Sequence, residues 1–378
     1  MKKTLIALAA LAATAGVAHA QSSVTLYGVV DAYVGQTNTK VQSSTANTSL
    51  SQTVQNGSGL SSSRWGLRGS EDLGGGMAAV FTLEGGFSID SGALANNGGS
   101  SAANSASILF GRTASVGLKG NFGEVRLGRQ YTAYDSLRGA TNNTYDSNTF
   151  ATTSTVYGVG VQDYSNRANN AIRYDSPVFS GFSGSVMYAF GEDKSATVSA
   201  SSSASAHIKY ANGPLLVGYG YQAEKSNGVS TMFSGAPGLG ATTIGSAAAN
   251  VGTASTLVTT RKYNLLGATY DFGVAKIVGG YNTAKGLTVA GDAKDKEYQL
   301  GVSVPFGAAS VAAGYVRAKT EVAGISRKGT GYSLLGTYDL SKRTTLYTGF
   351  TSVKGESIVD TTRTDKVTLF GLGLRHTF

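Results

Sequence analysis

The chain has 378 residues, among them 52 glycines, 20 tyrosines and 14 phenylalanines, with one tryptophan, four prolines and no cysteine. Charged residues make up 14% of it, against about 25% in soluble domains, and the net charge is +9. No cysteine means no disulfide framework, thiolate zinc site or cysteine nucleophile, and three histidines leave little room for imidazole metal sites or triads.

Residues 1–20 read as a secretory leader. Lys2 and Lys3 form a basic start, Leu5 to Val17 a mostly apolar stretch, and Ala18-His19-Ala20 a small-x-small cleavage site before Gln21. Without Lys2 and Lys3 the mature part, 21–378, carries 29 basic against 22 acidic groups, a net +7.

Beyond residue 20 no run of 18 apolar residues occurs, and no long segment holds the i, i+3, i+4, i+7 stripe of an amphipathic helix. What recurs is alternation. Val24, Leu26, Gly28, Val30, Ala32 and Val34 interleave with Thr25, Tyr27, Val29, Asp31 and Tyr33. Phe182 to Phe190 and Tyr298 to Phe306 behave alike. Residues two apart share a sheet face, so each segment has a mainly apolar face and a mainly small or polar one.

Sixteen such segments follow in order, near 23–35, 62–71, 77–88, 107–118, 123–131, 167–175, 182–191, 204–211, 215–225, 261–272, 275–285, 296–306, 308–319, 328–340, 344–354 and 367–378. Each is long enough to cross a bilayer as a tilted strand. Long Ser/Thr/Asn/Gly-rich connections take turns with tight ones such as Asp72-Leu-Gly-Gly-Gly76 and Asn212-Gly-Pro214. This rhythm predicts an all-β fold, a 16-stranded antiparallel transmembrane β-barrel with apolar residues to lipid and polar residues to the lumen. Closure is required because an open edge in hydrocarbon leaves unsatisfied amides, and sixteen strands enclose a lumen too wide for side chains to fill.

The last segment agrees. Thr368, Phe370, Leu372, Leu374, His376 and Phe378 share one face, so Phe378 and Phe370 mark a terminal strand that closes onto the first.

Several stretches carry a family resemblance. Val24-Thr-Leu-Tyr-Gly-Val-Val-Asp-Ala-Tyr33, Ser63-Arg-Trp-Gly-Leu-Arg-Gly-Ser-Glu-Asp-Leu73, Gly120-Asn-Phe-Gly-Glu-Val-Arg-Leu-Gly-Arg-Gln130, Ile172-Arg-Tyr-Asp-Ser-Pro177 and Gly373-Leu-Arg-His-Thr-Phe378 resemble general diffusion porins of Gram-negative bacteria, particularly the β-proteobacterial branch. The resemblance spans essentially the whole mature chain. It implies an outer-membrane homotrimer of barrels, each with its own pore, and a constriction loop after the fifth strand that folds inward.

The residues support that loop, at about 132–166. Tyr131 to Asn166 holds Asp135, Asp146 and Asp163 with five tyrosines. The family's usual Pro-Glu-Phe-Gly-Gly is replaced by Asn142-Asn-Thr-Tyr-Asp-Ser-Asn148, which leaves open which acid faces the pore; Asp146 is the first choice and Asp135 the second.

A basic side should face these acids. Arg64 and Arg68 share the parity opposite Trp65 and Leu67, and Arg173 opposes Ile172 and Tyr174. The resemblance places constriction arginines at Arg64, Arg112 and Arg167. Parity objects to Arg112, which shares a face with Phe110, Val116 and Leu118, so either a bulge intervenes or Arg112 sits at the rim. Arg129 has the same problem and reads as a rim or subunit-contact residue.

Arginines opposite carboxylates set a transverse field across a narrow wet pore, and excess positive charge lowers the barrier for anions. The expected function is passive diffusion of small hydrophilic solutes with anion preference, with outer-membrane lipids as surroundings. One rival is a substrate-specific channel, for oligosaccharides for example, using lumen tyrosines such as Tyr27 and Tyr33; most other tyrosines fall on the apolar parity as rim residues. The other rival, a barrel-type hydrolase, would need His207 or His376 beside a serine and an orienting group. No nucleic-acid motif, phosphate loop, metal-ligand cluster or dinucleotide fingerprint appears, so neither nucleic acid nor a cofactor is expected.

Overall fold

A computed structural model describes residues 23–44, 47–94, 108–142, 149–150, 164–197, 199–226, 233–234, 259–288, 291–322, 324–356 and 364–378. The leader expected at 1–20, and Asp146 and Asp163 of the loop, lie outside these residues. The chain forms β1 (Ser23–Gln42), β2 in two pieces (Asn47–Gly57 and Arg64–Gly74), β3 (Met77–Gly86), β4 (Thr113–Gly120) and β5 (Gly123–Tyr131). Helix α1 (Ala133–Asn142) follows, then β6 (Arg167–Asp175), β7 (Phe182–Phe190), β8 (Ser202–Asn212), β9 (Leu215–Ser226) and β10 (Thr259–Asp271). The circuit is completed by β11 (Lys276–Thr288), β12 (Gly291–Phe306), β13 (Ala309–Val322), β14 (Ile325–Asp339), β15 (Thr344–Glu356) and β16 (Thr364–Thr377).

Neighbours pair antiparallel, and β16 closes on β1 from Val29 opposite Thr377 to Gln42 opposite Thr364. The closed barrel has sixteen strands because the two pieces of β2 share one position: Asn47–Gly57 lies beside the upper half of β1, Arg64–Ser70 beside its lower half. At the closing seam Gly28 and Phe378 exchange both backbone hydrogen bonds, at 3.0 and 3.1 Å. A β-carbon on Gly28 would lie 2.3 Å from Phe378 Cζ, so this position has no room for a side chain.

The alternation sorts two solvents. Val24, Leu26, Val116, Leu300 and Leu372 are exposed on the outer wall, while Asp31, Gln222, Glu224, Glu297 and Gln299 are buried toward the inside. From Tyr298 to Phe306 the outer face of β12 spans eight residue steps, about 27 Å along the strand and about 20 Å in height at a tilt of about 40°, close to the apolar band of outer-membrane barrels. Strands overrun that band on the long-loop side. β1 reaches Gln42, and part of the expected loop 36–61 is strand. The fourth strand, by contrast, begins at Thr113 rather than near 107.

Candidate channel constriction

Strand β5 ends at Tyr131, where the chain turns into the lumen. Thr132 caps α1, its Oγ1 accepting the Asp135 amide at 3.1 Å, a donor the first helical turn would leave unpaired. The helix lies on the inner wall of β7 to β12, most extensively on β9. Leu137, 0% exposed, sits where the wall is shaved to glycine: a β-carbon on Gly218 would come within 2.5 Å of Leu137 Cδ1. Tyr134 donates to Asn282 Oδ1 at 3.0 Å and meets Tyr164 edge-on at 4.8 Å, and both rings pack on Tyr263.

By Thr149 the chain has reached another part of the barrel. The Thr149 and Phe150 amides donate to Ser58 O and Gly59 O, each at 3.2 Å. The Phe150 ring, 1% exposed, lies against Tyr33 and Tyr347 and over Gly349. The exit of the loop returns to β9, where Ser165 donates to Glu224 Oε1 at 2.6 Å and Arg261 of β10 holds Oε2 at 2.9 Å.

The seat of Phe150 depends on a break in β2. Between Gly57 and Arg64 the backbone folds inward, and Ser58 takes a φ of 67°. Asp31, 0% exposed, collects the amides of Gly59, Leu60 and Ser61 at 2.8–2.9 Å and the Tyr347 hydroxyl at 2.5 Å. Successive amides aimed at one carboxylate form an anion nest, here filled by the protein's own side chain.

On the wall from β2 to β6 a second cluster forms around Glu84. Arg112 Nε donates to Glu84 Oε1 at 2.6 Å, Tyr27 OH donates to Oε2 at 3.0 Å, and Arg64 Nε lies 3.7 Å from Oε2. Arg112 also donates to Tyr131 OH at 2.7 Å, and Arg167 stacks on the Tyr131 ring at 4.0 Å while donating to the same hydroxyl. Three guanidiniums thus gather around one carboxylate. Arg68 lies over the Tyr27 ring at 5.2 Å, next to this group.

The structure resolves the parity conflict of Arg112 differently from either expectation. The β3–β4 ladder runs without a register shift from Ala78 to Glu84, and Arg112 precedes its first residue, so alternation does not bind it. A bulge does occur, between β5 and β6 at Gly128 and Gln130, where Asn170 takes a φ of 52°. Arg129 keeps the outward parity of Val125 and Leu127, and its guanidinium donates to Gly111 O and Asn169 Oδ1 at 2.7 and 2.6 Å.

Other expected residues go elsewhere. Arg173 is not in the arginine cluster: it pairs with Asp175 at 2.6 Å and donates to Tyr131 O and Ser136 Oγ, fastening the root of the loop. Asp135 accepts from Tyr164 OH at 2.6 Å. Tyr27 and Tyr33 face inward, but Glu84 engages the first and Phe150 covers the second. Tyr263 and Tyr347 depart from the expectation that most remaining tyrosines sit at the rim, since both are buried inside. His207 Nδ1 donates to Ala133 O at 2.6 Å, and His376 Nδ1 bonds Thr344 Oγ1 at 2.9 Å. Phe370 is exposed on the outer face.

Glu84 and Asp31 were missed from sequence, although each is an isolated acid on the inward parity of its strand. Asp295 and Glu297 of β12 were also missed. Both are buried inside, across the ring from the arginines.

Comparison with known proteins adds relatives to this geometry. A family model described as Gram-negative porin matches residues 7–357. The chain is 36% identical to outer membrane porin protein 32 of Delftia acidovorans, over 94% of this chain and 90% of that one. It is 31% identical to an outer membrane porin of Bordetella pertussis over the full length of both. Among solved structures it is similar to an anion-selective porin from Comamonas acidovorans, with 30% identity, a TM-score of 0.73, and coverage of 95% of this chain and 100% of that one. The Vibrio cholerae outer membrane protein OmpT, at 18% identity and a TM-score of 0.62, has the same fold.

Proposed function

The chain belongs to the Gram-negative porin family, and from its constriction we infer that its channel favours anions. It is an outer-membrane porin, a water-filled barrel for the diffusion of small solutes. The observation that carries the inference is the group of Arg64 and Arg112 on Glu84, joined through Tyr131 to Arg167, three guanidiniums to one carboxylate among the described residues. The described parts of the loop lie against β7 to β12 and, at Thr149 and Phe150, against β15, β16, β1 and the break in β2, while the arginines sit on the wall sector from β2 to β6 beside the loop root. Arg64 is the more accessible of the three, while Arg112 and Arg167, 6% and 3% exposed, act on passing solutes through their field, and guanidiniums stay charged when crowded. Asp295 and Glu297 on the far side supply the opposite end of a transverse field. The Comamonas relative, itself described as anion-selective, supports the same reading. A planar-bilayer reversal potential in a KCl gradient should have the sign of chloride preference; the sign of potassium preference would overturn the inference.

The oligosaccharide-channel reading has less support, because Tyr33 lies under Phe150 and Tyr27 is engaged by Glu84 and Arg68. The family forms channels rather than catalysts, and the bond from His207 ties the loop root to the wall.

The same reading includes a homotrimer. On β1, β2 and β4 the outward residues are mostly small or aliphatic, such as Val24, Leu26, Leu67, Ala114 and Val116, with Trp65 as the aromatic exception. From β11 to β14 the outer face instead carries Tyr281, Tyr298, Tyr315 and Tyr332. Aromatic belts suit a lipid interface, and a sector poor in them suits protein contact. Native mass spectrometry in detergent should give three chains; a mass of one chain would sink the trimer.

A further inference from the structure

The upper halves of the outer strands separate charge by parity. In Lys294-Asp295-Lys296-Glu297 the lysines point outward and are exposed, while the acids point inward and are buried. Asp365 and Lys366 divide in the same way. Opposite charges on opposite faces of a sheet cannot pair with one another.

The outward lysines are aligned with each other instead. Lys262 is opposite Lys285, which is opposite Lys294. Lys296, Lys319 and Lys328 form a second row. Lys354, Lys366 and Lys40 form a third, running across the closing seam. All nine are exposed. Among the described residues the first two rows share one acid, Glu321, which pairs with Lys319 at 2.7 Å and stands opposite Lys294, too little for six lysines, and the third row has no carboxylate partner. Like charges directly opposite on one sheet face repel, so these rows are unfavourable unless an external anion joins them.

Their height identifies that anion. Lys285, Lys294, Lys319, Lys328, Lys354 and Lys366 each stand four residues beyond an outward aromatic, namely Tyr281, Tyr298, Tyr315, Tyr332, Phe350 and Phe370. Four residues are about 13 Å along a strand and about 10 Å in height after tilt. The aromatics mark the hydrocarbon boundary, so the ammonium groups stand at the level of lipid headgroups on the long-loop side.

We propose that these three rows form a basic collar that binds phosphorylated lipid headgroups of the leaflet on the long-loop side. The inference rests on the barrel lying in a bilayer and is independent of its ion preference. Each lysine held near an anionic lipid surface contributes about fivefold to affinity. The full chain, folded in neutral maltoside micelles, is titrated with dimyristoyl phosphatidic acid or with dimyristoyl phosphatidylcholine, and retained lipid is counted by native mass spectrometry. Phosphatidic acid should be retained and phosphatidylcholine not, with retention falling as salt rises. Lys354→Gln with Lys366→Gln should weaken retention about 25-fold, while the unfolding temperature in neutral micelles stays level or rises because their mutual repulsion is gone. Lys342→Gln with Arg343→Gln removes the same charge from the exposed turn at the opposite end and should leave retention within about twofold. Equal losses in the two variants, or equal retention of the two lipids by the unmodified chain, would overturn the proposal; a folded collar variant with undiminished retention would do so as well.

Discussion

Arg112→Gln combined with Arg167→Gln should sharply reduce the anion preference of the channel. Among the described residues the group falls from three guanidiniums against one carboxylate to Arg64 against Glu84, with Arg68 alongside. A unit charge about 6 Å from a passing ion, at the dielectric constant of water, is worth about 0.7 kcal/mol. Removing two therefore raises the chloride barrier by about 1.4 kcal/mol, about tenfold in entry rate. The measurement belongs at about 0.1 M salt, where the screening length of about 10 Å exceeds the distances involved. Glu84 is not orphaned in this variant, since Tyr27 and Arg64 still face it, so the barrel should fold. Two further variants fix the interpretation. Glu84→Gln should raise the anion preference, and Arg129→Gln, on the outward parity, should leave it unchanged. An unaltered reversal potential in the double variant would remove the arginine cluster from the selectivity mechanism.

The second large effect is expected at Asp31. Asp31→Ala leaves the amides of Gly59, Leu60 and Ser61 buried without their acceptor, at about 1–3 kcal/mol each, so the cost should be at least about 3 kcal/mol. The damage should spread along a defined route. Once the break in β2 loosens, Ser58 O and Gly59 O no longer hold Thr149 and Phe150, and the far end of the constriction loop loses its mooring. Single-channel currents should become noisy, with sublevels, and the unfolding temperature should fall. Phe150→Ala separates the two consequences: it should reproduce the noise with a smaller loss of stability, because the Asp31 nest remains whole. Quiet, wild-type current in folded Asp31→Ala protein would show that the loop does not depend on this anchor.

The barrel was legible because a two-residue rhythm survives in nearly every strand: one face meets lipid, and the constraint is local and repeated. The sixteen expected segments and the observed strands coincide in order. Strand ends were less legible. Beyond the apolar band both faces of β1 and β12 carry polar side chains, so polarity no longer separates strand from loop at Gln36 to Gln42 or near Lys294. At the constriction parity fails for a different reason. Arg112 lies just outside a ladder and Tyr131 at the end of one, so neither is bound by its neighbours' alternation. Arg173 had the expected inward parity, but parity cannot tell a residue facing the pore from one lying beneath the inserted loop. Glu84 and Asp31 were visible as inward acids, but their roles depend on partners far away in the chain, such as Tyr347 for Asp31, that no local pattern brings together.

The sorting of Lys294 to Glu297 has an evolutionary corollary. One short stretch of backbone serves two environments, and only the parity of the count decides which side chain meets which. An insertion or deletion of one residue there would exchange them, presenting carboxylates to the membrane exterior and ammonium groups to the permeation path together. Change by substitution can tune either surface alone, whereas a one-residue change in length corrupts both unless a bulge such as that at Gly128 and Gln130 absorbs it.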